Sequence, residues 1–299
     1  MKSTAFAPAH ISGFFQPVYN QKNICKTGSK GAGFSLSSGV TSEVTIESST
    51  TQNIDILVNG KKVEDKVTEL ALKYLISERP LKITVKTSRD LPVSQGLGIS
   101  GATALSASMA LSKNLDIQFS ETLKAAHTAE VKMGTGLGDI IASFIGGFEI
   151  RKTPGLPPWG FIEHIPGNYD IVVCVIGKKL QTKDILSDQK KKKNIEKYGR
   201  YCIQNILKNP SIENFLRSSQ YFTKKSGLAN NEIINIINSV RQYGIASMCM
   251  LGNSIFSVGK TDELCEILSQ YGKVYLTEID QQGAKITHSE KKEFGFHLK

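Results

Sequence analysis

Ser100 stands where a glycine-rich stretch, PVSQGLGISGA from Pro92, opens into a run of small and apolar residues of helical length. A helix N-terminus offers unpaired N–H groups and a partial positive charge, and glycines let the backbone approach a polyphosphate without side-chain collisions. Gly96, Gly98 and Gly101 suit that task, and the Ser100 hydroxyl is placed either to cap the helix or to ligate Mg²⁺ beside phosphates. Further along, AHTAEV sets His127 and Glu130 three residues apart on one helical face, and the adjoining GTGLGD delivers Asp139. Phosphoryl transfer needs a cation bridging phosphates, donors around the transferred group and a residue that orients the attacking hydroxyl, and Ser100, Glu130 and Asp139 are of the types that supply these parts. Each also has a structural reading. Ser100 and Asp139 serve as N-caps, Glu130 as a surface helix residue and His127 as a hydrogen-bonded, half-buried side chain, and spacing alone leaves both readings open.

Two other glycine-rich stretches, GSKGAG from Gly28 and GTGLGD from Gly134, also read as loops, but only PVSQGLGISGA leads directly into a long helix. Gly96, Gly98 and Gly101 also satisfy G-x-G-x-x-G, so a dinucleotide-dependent oxidoreductase is a rival class. Its loop follows a strand tightly in a βαβ unit, whereas Thr87 to Gln95 is a charged, proline-containing connection. No stretch ends in the Gly-Lys-Ser/Thr of a Walker A loop.

The elements that must hold these residues are α+β. Short β-rich segments at Phe34 to Leu36, Val44 to Ile46, Ile54 to Val58 and Leu81 to Val85 predict a mostly antiparallel sheet, and Val63 to Leu75, Ser100 to Leu115 and Ser120 to Val131 have helical spacing. KTPGLPPWG, with three of the nine prolines, has the composition of a linker and predicts a boundary between domains at 1–155 and 156–299. Beyond it a strand at Ile171 to Ile176, helices at Asn194 to Lys208 and Asn231 to Tyr243, and strands at Ser254 to Val258 and Val274 to Thr277 are expected.

The 299 residues are 40% hydrophobic, enough for a proper core, and 37 basic against 27 acidic residues give a net charge of +10. That balance favours anionic partners, and a basic nucleic-acid-binding protein is a third class, but no recognisable module or set of stacking aromatics accompanies the charge. The run Lys190 to Lys193 reads as the start of a solvated helix. Five widely spaced cysteines without a C-x-x-C pair predict reduced thiols in a cytoplasmic protein, and neither a signal peptide nor a membrane span is expected.

PVSQGLGISGA resembles the phosphate-binding motif P-x-x-x-G-L-G-S-S-A of the GHMP kinases, APAHISGFF is similar to their opening motif, and MLGNSIF from Met250 occupies the place of their C-terminal glycine motif. Together with GSKGAGF, AHTAEVKMGTGLGD and the GG-x-x-x-R of Gly146 to Arg151, these blocks are most similar to the archaeal pantoate kinases, over almost the whole chain. The resemblance implies a ribosomal-protein-S5-like N-terminal domain, a ferredoxin-like C-terminal domain and an active site between them. It also implies ATP- and Mg²⁺-dependent phosphorylation of (R)-pantoate to 4-phosphopantoate in coenzyme A biosynthesis, by a cytoplasmic homodimer.

Carried over residue by residue, Gly96, Leu97, Gly98, Ile99, Ser100, Gly101 and Ala102 form the ATP phosphate loop, Ser100 and Glu130 hold the metal, and Asp139 is the base. Ser29, His127 and Arg151 hold the acceptor, whose carboxylate calls for a fixed cation or donor. Ile99 replaces the first serine of the general motif, leaving more of the phosphate contact to backbone N–H groups. TGLGD is one residue longer than the S-G-x-D of mevalonate kinase-like members, and LGNSIF lacks their fuller glycine run, so Gly252 is site-adjacent. A relative acting on shikimate, homoserine or mevalonate is the nearest rival.

Overall fold

The N-terminal alternation of small and apolar residues forms one long strand, β1 (Lys2–Val18), antiparallel to the still longer β2 (Gly28–Ser48). The computed structural model describes residues 1–177 and 189–290. Register shifts after Pro8 and around Gly13 mark bulges in β1, which sharpen its twist. β2 serves two neighbours. Its distal part pairs with β5 (Leu81–Arg89), and its first part pairs with β6 (Phe148–Thr153) through Gly31 to Phe34. With β3 (Asn53–Val58), β4 (Lys61–Lys62), β7 (Phe161–Ile165) and β12 (Lys285–Glu290) this makes an eight-stranded sheet, in which only β3 and β5 pair in parallel. GSKGAGF, expected as a glycine loop, is therefore the opening of a strand.

Helix α2 (Ile99–Leu115) lies against this sheet, between it and α1 (Lys66–Ile76) and α3 (Phe119–Met133). Its Ala, Ser and Gly residues are small on every side, so backbone can approach it from both layers, and every residue from Ile99 to Ser112 except Ser100 is buried. Most of the hydroxyls this brings inside find partners, as Ser106 bonds Ser42 at 2.8 Å and Ser42 also bonds Thr87 at 3.1 Å, whereas the buried Ser108 hydroxyl has none. Helix α4 (Asp139–Ile145) follows α3 after the GTGLGD turn.

The second sheet, order β11-β8-β10-β9, is antiparallel throughout, with β8 at Asp170–Val175, β9 at Gly244–Met248, β10 at Ser254–Gly259 and β11 at Lys273–Glu278. Helices α5 (Gln189–Lys208), α6 (Ile212–Ser226), α7 (Asn231–Ser239) and α8 (Thr261–Ser269) belong to this half, and α5 includes the Lys190 to Lys193 run in its first turn. The proline-rich KTPGLPPWG is the connection of the β6–β7 hairpin. The chain leaves the first sheet only between Ile165 and Asp170, and β12 later returns to pair with β1. The difference from the expected division has a simple cause: prolines mark a hairpin connection as readily as a linker. Residues 291–299 of the expected second domain lie outside the described residues.

Phe14, Phe34 and Phe148 from the first sheet meet Phe215 of α6 and Phe256 of β10 in one buried aromatic cluster, with ring centroids 4.8 Å apart for Phe148 and Phe215 and 5.2 Å for Phe34 and Phe256. It joins the two sheets behind the site. Among the described residues no helix is long and apolar enough to cross a membrane.

Candidate active site

A cavity of about 600 Å³ lies over the N-terminus of α2. Gly98 precedes the helix at φ +63°, a left-handed conformation open to glycine, and no side chain caps the first turn. The leading N–H groups of α2 therefore remain for a ligand, and Gly96 to Gly101 line the cavity. The loop is held from behind. A Cβ on Gly252, in the β9–β10 turn, would fall 2.0 Å from the Gln95 carbonyl oxygen, and the Ser254 hydroxyl donates to that oxygen at 2.5 Å. Gly252 thus supports the phosphate loop by close contact.

Glu130 and Asp139 meet at the same helix end. Glu130 is 1% exposed, and its Oε2 has no hydrogen-bond partner. Gly101 and Gly136 have no side chains because the Glu130 carboxylate fills that space: a Cβ on either would lie 2.7 or 2.5 Å from Oε1, and one on Gly136 would also lie 2.7 Å from Asp139 Oδ2. Burial, and then the negative charge of Asp139, push the Glu130 carboxyl well above its ordinary range, against a stabilising backbone hydrogen bond from Ile140. A buried carboxylate with an orphaned oxygen, a second carboxylate and the Ser100 hydroxyl is a donor set that fits Mg²⁺. No group of three or more His, Cys, Asp or Glu suited to a metal occurs among the described residues, so such an ion would complete its shell with phosphate and water.

The other wall is built across three strands. Alternation on β1 puts His10 and Ser12 on one face, and alternation on β6 does the same for Glu149 and Arg151. Between them runs β2, whose Gly31 and Gly33 stand opposite Arg151 and Glu149. A Cβ on Gly33 would lie 2.8 Å from His10 Nε2 and 3.1 Å from Glu149 Oε1, and one on Gly31 would lie 3.1 Å from Arg151 Nη2. The glycines of GSKGAG therefore clear a trough in which side chains from β1 and β6 meet over the middle strand. His10 Nδ1 is 2.9 Å from Asp139 Oδ1, and its Nε2 is 3.1 Å from Glu149 Oε1. Arg151 pairs through Nη1 with Glu149 and donates through Nη2 to Ser12 Oγ at 2.9 Å, leaving its buried Nε unpartnered. Ser29 continues the β2 alternation into the cavity, and a Cβ on Gly138 would lie 2.7 Å from its Oγ and 3.3 Å from Arg151 Nε.

Ser100, Asp139, Ser29 and the phosphate loop line the cavity; Glu130 and Arg151 lie buried directly behind it. His127 points elsewhere. Its Nε2 donates to the carbonyls of Thr27 at 3.0 Å and Ile24 at 3.3 Å, so it pins the 3₁₀ turn Ile24–Lys26 that precedes Ser29. Burial, outweighing those hydrogen bonds, holds its imidazole below the ordinary histidine value. Sequence spacing put His127 and Glu130 on one face, but their side chains diverge. His10, Ser12 and Glu149 were missed as site residues. The available signal was the His-x-Ser alternation in APAHISGFF and the Glu-x-Arg alternation after the double glycine.

The GHMP kinases N terminal domain model matches residues 65–147. A curated pantoate kinase from Methanocaldococcus jannaschii is 37% identical over 88% of this chain and 95% of its own length. A solved structure described as a phosphotransferase related to the CoA biosynthesis pathway superposes with a TM-score of 0.86 at 31% identity, covering 96% of this chain and 98% of the other. The homoserine kinase of Cytophaga hutchinsonii shares the fold at a TM-score of 0.70 and 17% identity, covering 95% and 97%. The chain belongs to the pantoate kinase family of GHMP kinases.

Proposed function

We infer that the protein transfers the γ-phosphoryl group of ATP to the primary hydroxyl of (R)-pantoate, giving ADP and 4-phosphopantoate for coenzyme A biosynthesis. The observation that carries this reading is the convergence on one cavity of an uncapped helix N-terminus, a buried carboxylate with a free oxygen, a second carboxylate and a buried arginine with a free Nε. Backbone N–H groups of α2 receive the β- and γ-phosphates. Ser100 and Glu130 hold Mg²⁺, which when bound neutralises charge on the phosphate oxygens during transfer. Asp139 orients the acceptor hydroxyl and takes its proton as the new O–P bond forms and the bond to the β-phosphate oxygen breaks. Arg151 and Ser29 bind the pantoate carboxylate, and His127 supports Ser29 through Thr27.

Pantoate and ATP, rather than nucleic acid, are the anionic partners that we assign to a chain of net charge +10. The reading includes a cytoplasmic site of action, supported by cysteines that are all free, with four of the five buried. It also includes a homodimer, which light scattering measures. A coupled ADP assay offering pantoate, shikimate, homoserine and mevalonate tests the substrate: release with pantoate is expected, and release with another acceptor while pantoate is inert overturns it.

A further inference from the structure

We propose that His10, held by Glu149, is a positioning residue that fixes the Asp139 carboxylate toward the acceptor hydroxyl. The inference rests on the role given to Asp139 above. His10 is 1% exposed, and each of its ring nitrogens faces a carboxylate oxygen: Nδ1 faces Asp139 Oδ1 at 2.9 Å and Nε2 faces Glu149 Oε1 at 3.1 Å. A neutral imidazole carries one N–H and satisfies only one of these contacts as donor. The imidazolium satisfies both. Arg151 Nη1, 3.3 Å from Nε2, is drawn to the same Glu149 oxygen, so Glu149 lies between two cations. Along the trough the groups alternate in sign as Asp139, His10, Glu149 and Arg151, so that each buried charge has an opposite neighbour.

This arrangement has a consequence for Asp139. Its Oδ1 is committed to His10, which leaves Oδ2 to address the cavity, and a carboxylate gripped on one oxygen has a fixed plane. The trough is shaped for the ring, since Gly33 lacks the Cβ that would touch Nε2, and a Cβ on Gly98 would lie 3.1 Å from His10 Cβ. Two glycine-rich stretches thus leave room for one histidine. The chain on the far side is equally committed: the His10 N–H donates to the Leu97 carbonyl at 3.1 Å, which ties β1 to the phosphate loop.

Two variants separate positioning from packing. In His10→Asn the amide occupies the place of Nδ1 and keeps a donor toward Asp139; in His10→Gln it occupies the place of Nε2 and keeps the donor toward Glu149. We expect His10→Gln to lower kcat by roughly 10²-fold, the cost of misplacing a reacting group by about 1 Å, and His10→Asn to lower it clearly less. KM for both substrates and Tm should be similar in the two. Equal kcat values in the two variants, or losses that follow Tm or KM, overturn the proposal. Asp139→Asn is measured beside them: if it keeps full activity the reading of Asp139 itself fails, whereas an inactive Asp139→Asn beside equal His10 variants removes only the role of His10. Should neither His10 variant fold, ¹⁵N NMR of the ring in the wild-type protein decides. A proton on Nδ1 facing Asp139 supports the proposal, and a bare Nδ1 overturns it.

Discussion

At the scale of single residues the site is built from groups that folding alone would not favour. Glu130 is buried with an unpartnered oxygen and repelled by Asp139, so its ionised form costs the apo fold stability. Glu130→Gln should therefore keep or raise the Tm of the ligand-free protein while lowering turnover by about 10²- to 10³-fold, the scale of losing one preorganised electrostatic contact; Ser100→Ala should lower turnover in the same sense. Near-normal turnover and magnesium dependence in Glu130→Gln would remove it from the site. Arg151 has a different character, because its two terminal nitrogens already serve Glu149 and Ser12. Arg151→Ala should weaken pantoate use by roughly 10- to 100-fold, matching about 1.5–3 kcal/mol for a hydrogen bond to a charged group, and spare the KM for ATP. It also strands Glu149 without its partner, so Arg151→Lys, which keeps a charge but loses the planar fork, is the cleaner test and should recover part of the loss. Unchanged pantoate saturation in both variants would leave Arg151 a structural role alone.

At the scale of elements, α3 carries two buried groups with opposite tasks, Glu130 at the site and His127 against the turn before Ser29. His127 has a depressed folded value, so the unfolded chain binds the extra proton. Its contribution to stability is present above the unfolded histidine value of about 6.5 and is lost as pH falls below it. His127→Gln, which can still donate to the Thr27 carbonyl, should flatten the loss of stability as pH falls below about 6.5, where one proton accounts for at most about 1.4 kcal/mol per pH unit. His10 does not confound that window, because its folded value is raised. Burial lowers it, but the charge of Glu149 and the hydrogen bonds that the ring donates to Asp139 and Glu149 outweigh this, so its contribution is lost only as pH rises through the raised value. An identical acid limb in His127→Gln would show that the ring titrates as it does in the unfolded chain. The same helix shows where sequence reading succeeds. α2 and α3 begin and end within two residues of their expected limits because their periodicity is long and punctuated by Gly98 and Gly134. α4 has seven residues, too few for a period to declare itself, and GSKGAG reads locally as a loop because glycine is a turn signal, whereas in the fold it makes space for side chains of two other strands. Such a trough depends on the pairing of β1, β2 and β6, which lie far apart in the chain, so His10 and Glu149 could not be tied to Asp139 before the fold was known.

At the scale of the whole molecule, the cavity draws its walls from the first sheet and its loop support from the β9–β10 turn of the second, so its shape depends on how the sheets are joined. The join is aromatic. Phe215 of α6 contacts Phe14 at 5.8 Å, Phe34 at 5.7 Å, Phe148 at 4.8 Å and Phe256 at 6.0 Å between ring centroids, linking β1, β2, β6 and β10 through one ring. Those first-sheet strands carry His10, Ser29 and Arg151, and β10 begins with Ser254, which bonds the phosphate loop at Gln95. Phe215→Ala should destabilise the protein by about 3–5 kcal/mol, because the ring is fully buried and rigid neighbours collapse only partly into the space it leaves. It should also lower kcat at temperatures where the variant is fully folded, although Phe215 does not line the cavity, because slack between the sheets shifts the β9–β10 turn against the glycine loop. Ile236→Ala is the matched comparison: Ile236 is 1% exposed on α7, which packs on β9 and β10 within the second half, and its loss should cost about 2–5 kcal/mol with little change in kcat. Denaturant unfolding gives the two stability losses, and initial rates at saturating substrates give the two turnovers. If kcat falls equally in both variants it follows global stability, and the aromatic join has no particular hold on the site; if it falls in Phe215→Ala alone, the alignment of the two sheets is part of what makes the phosphate loop and the acceptor wall meet.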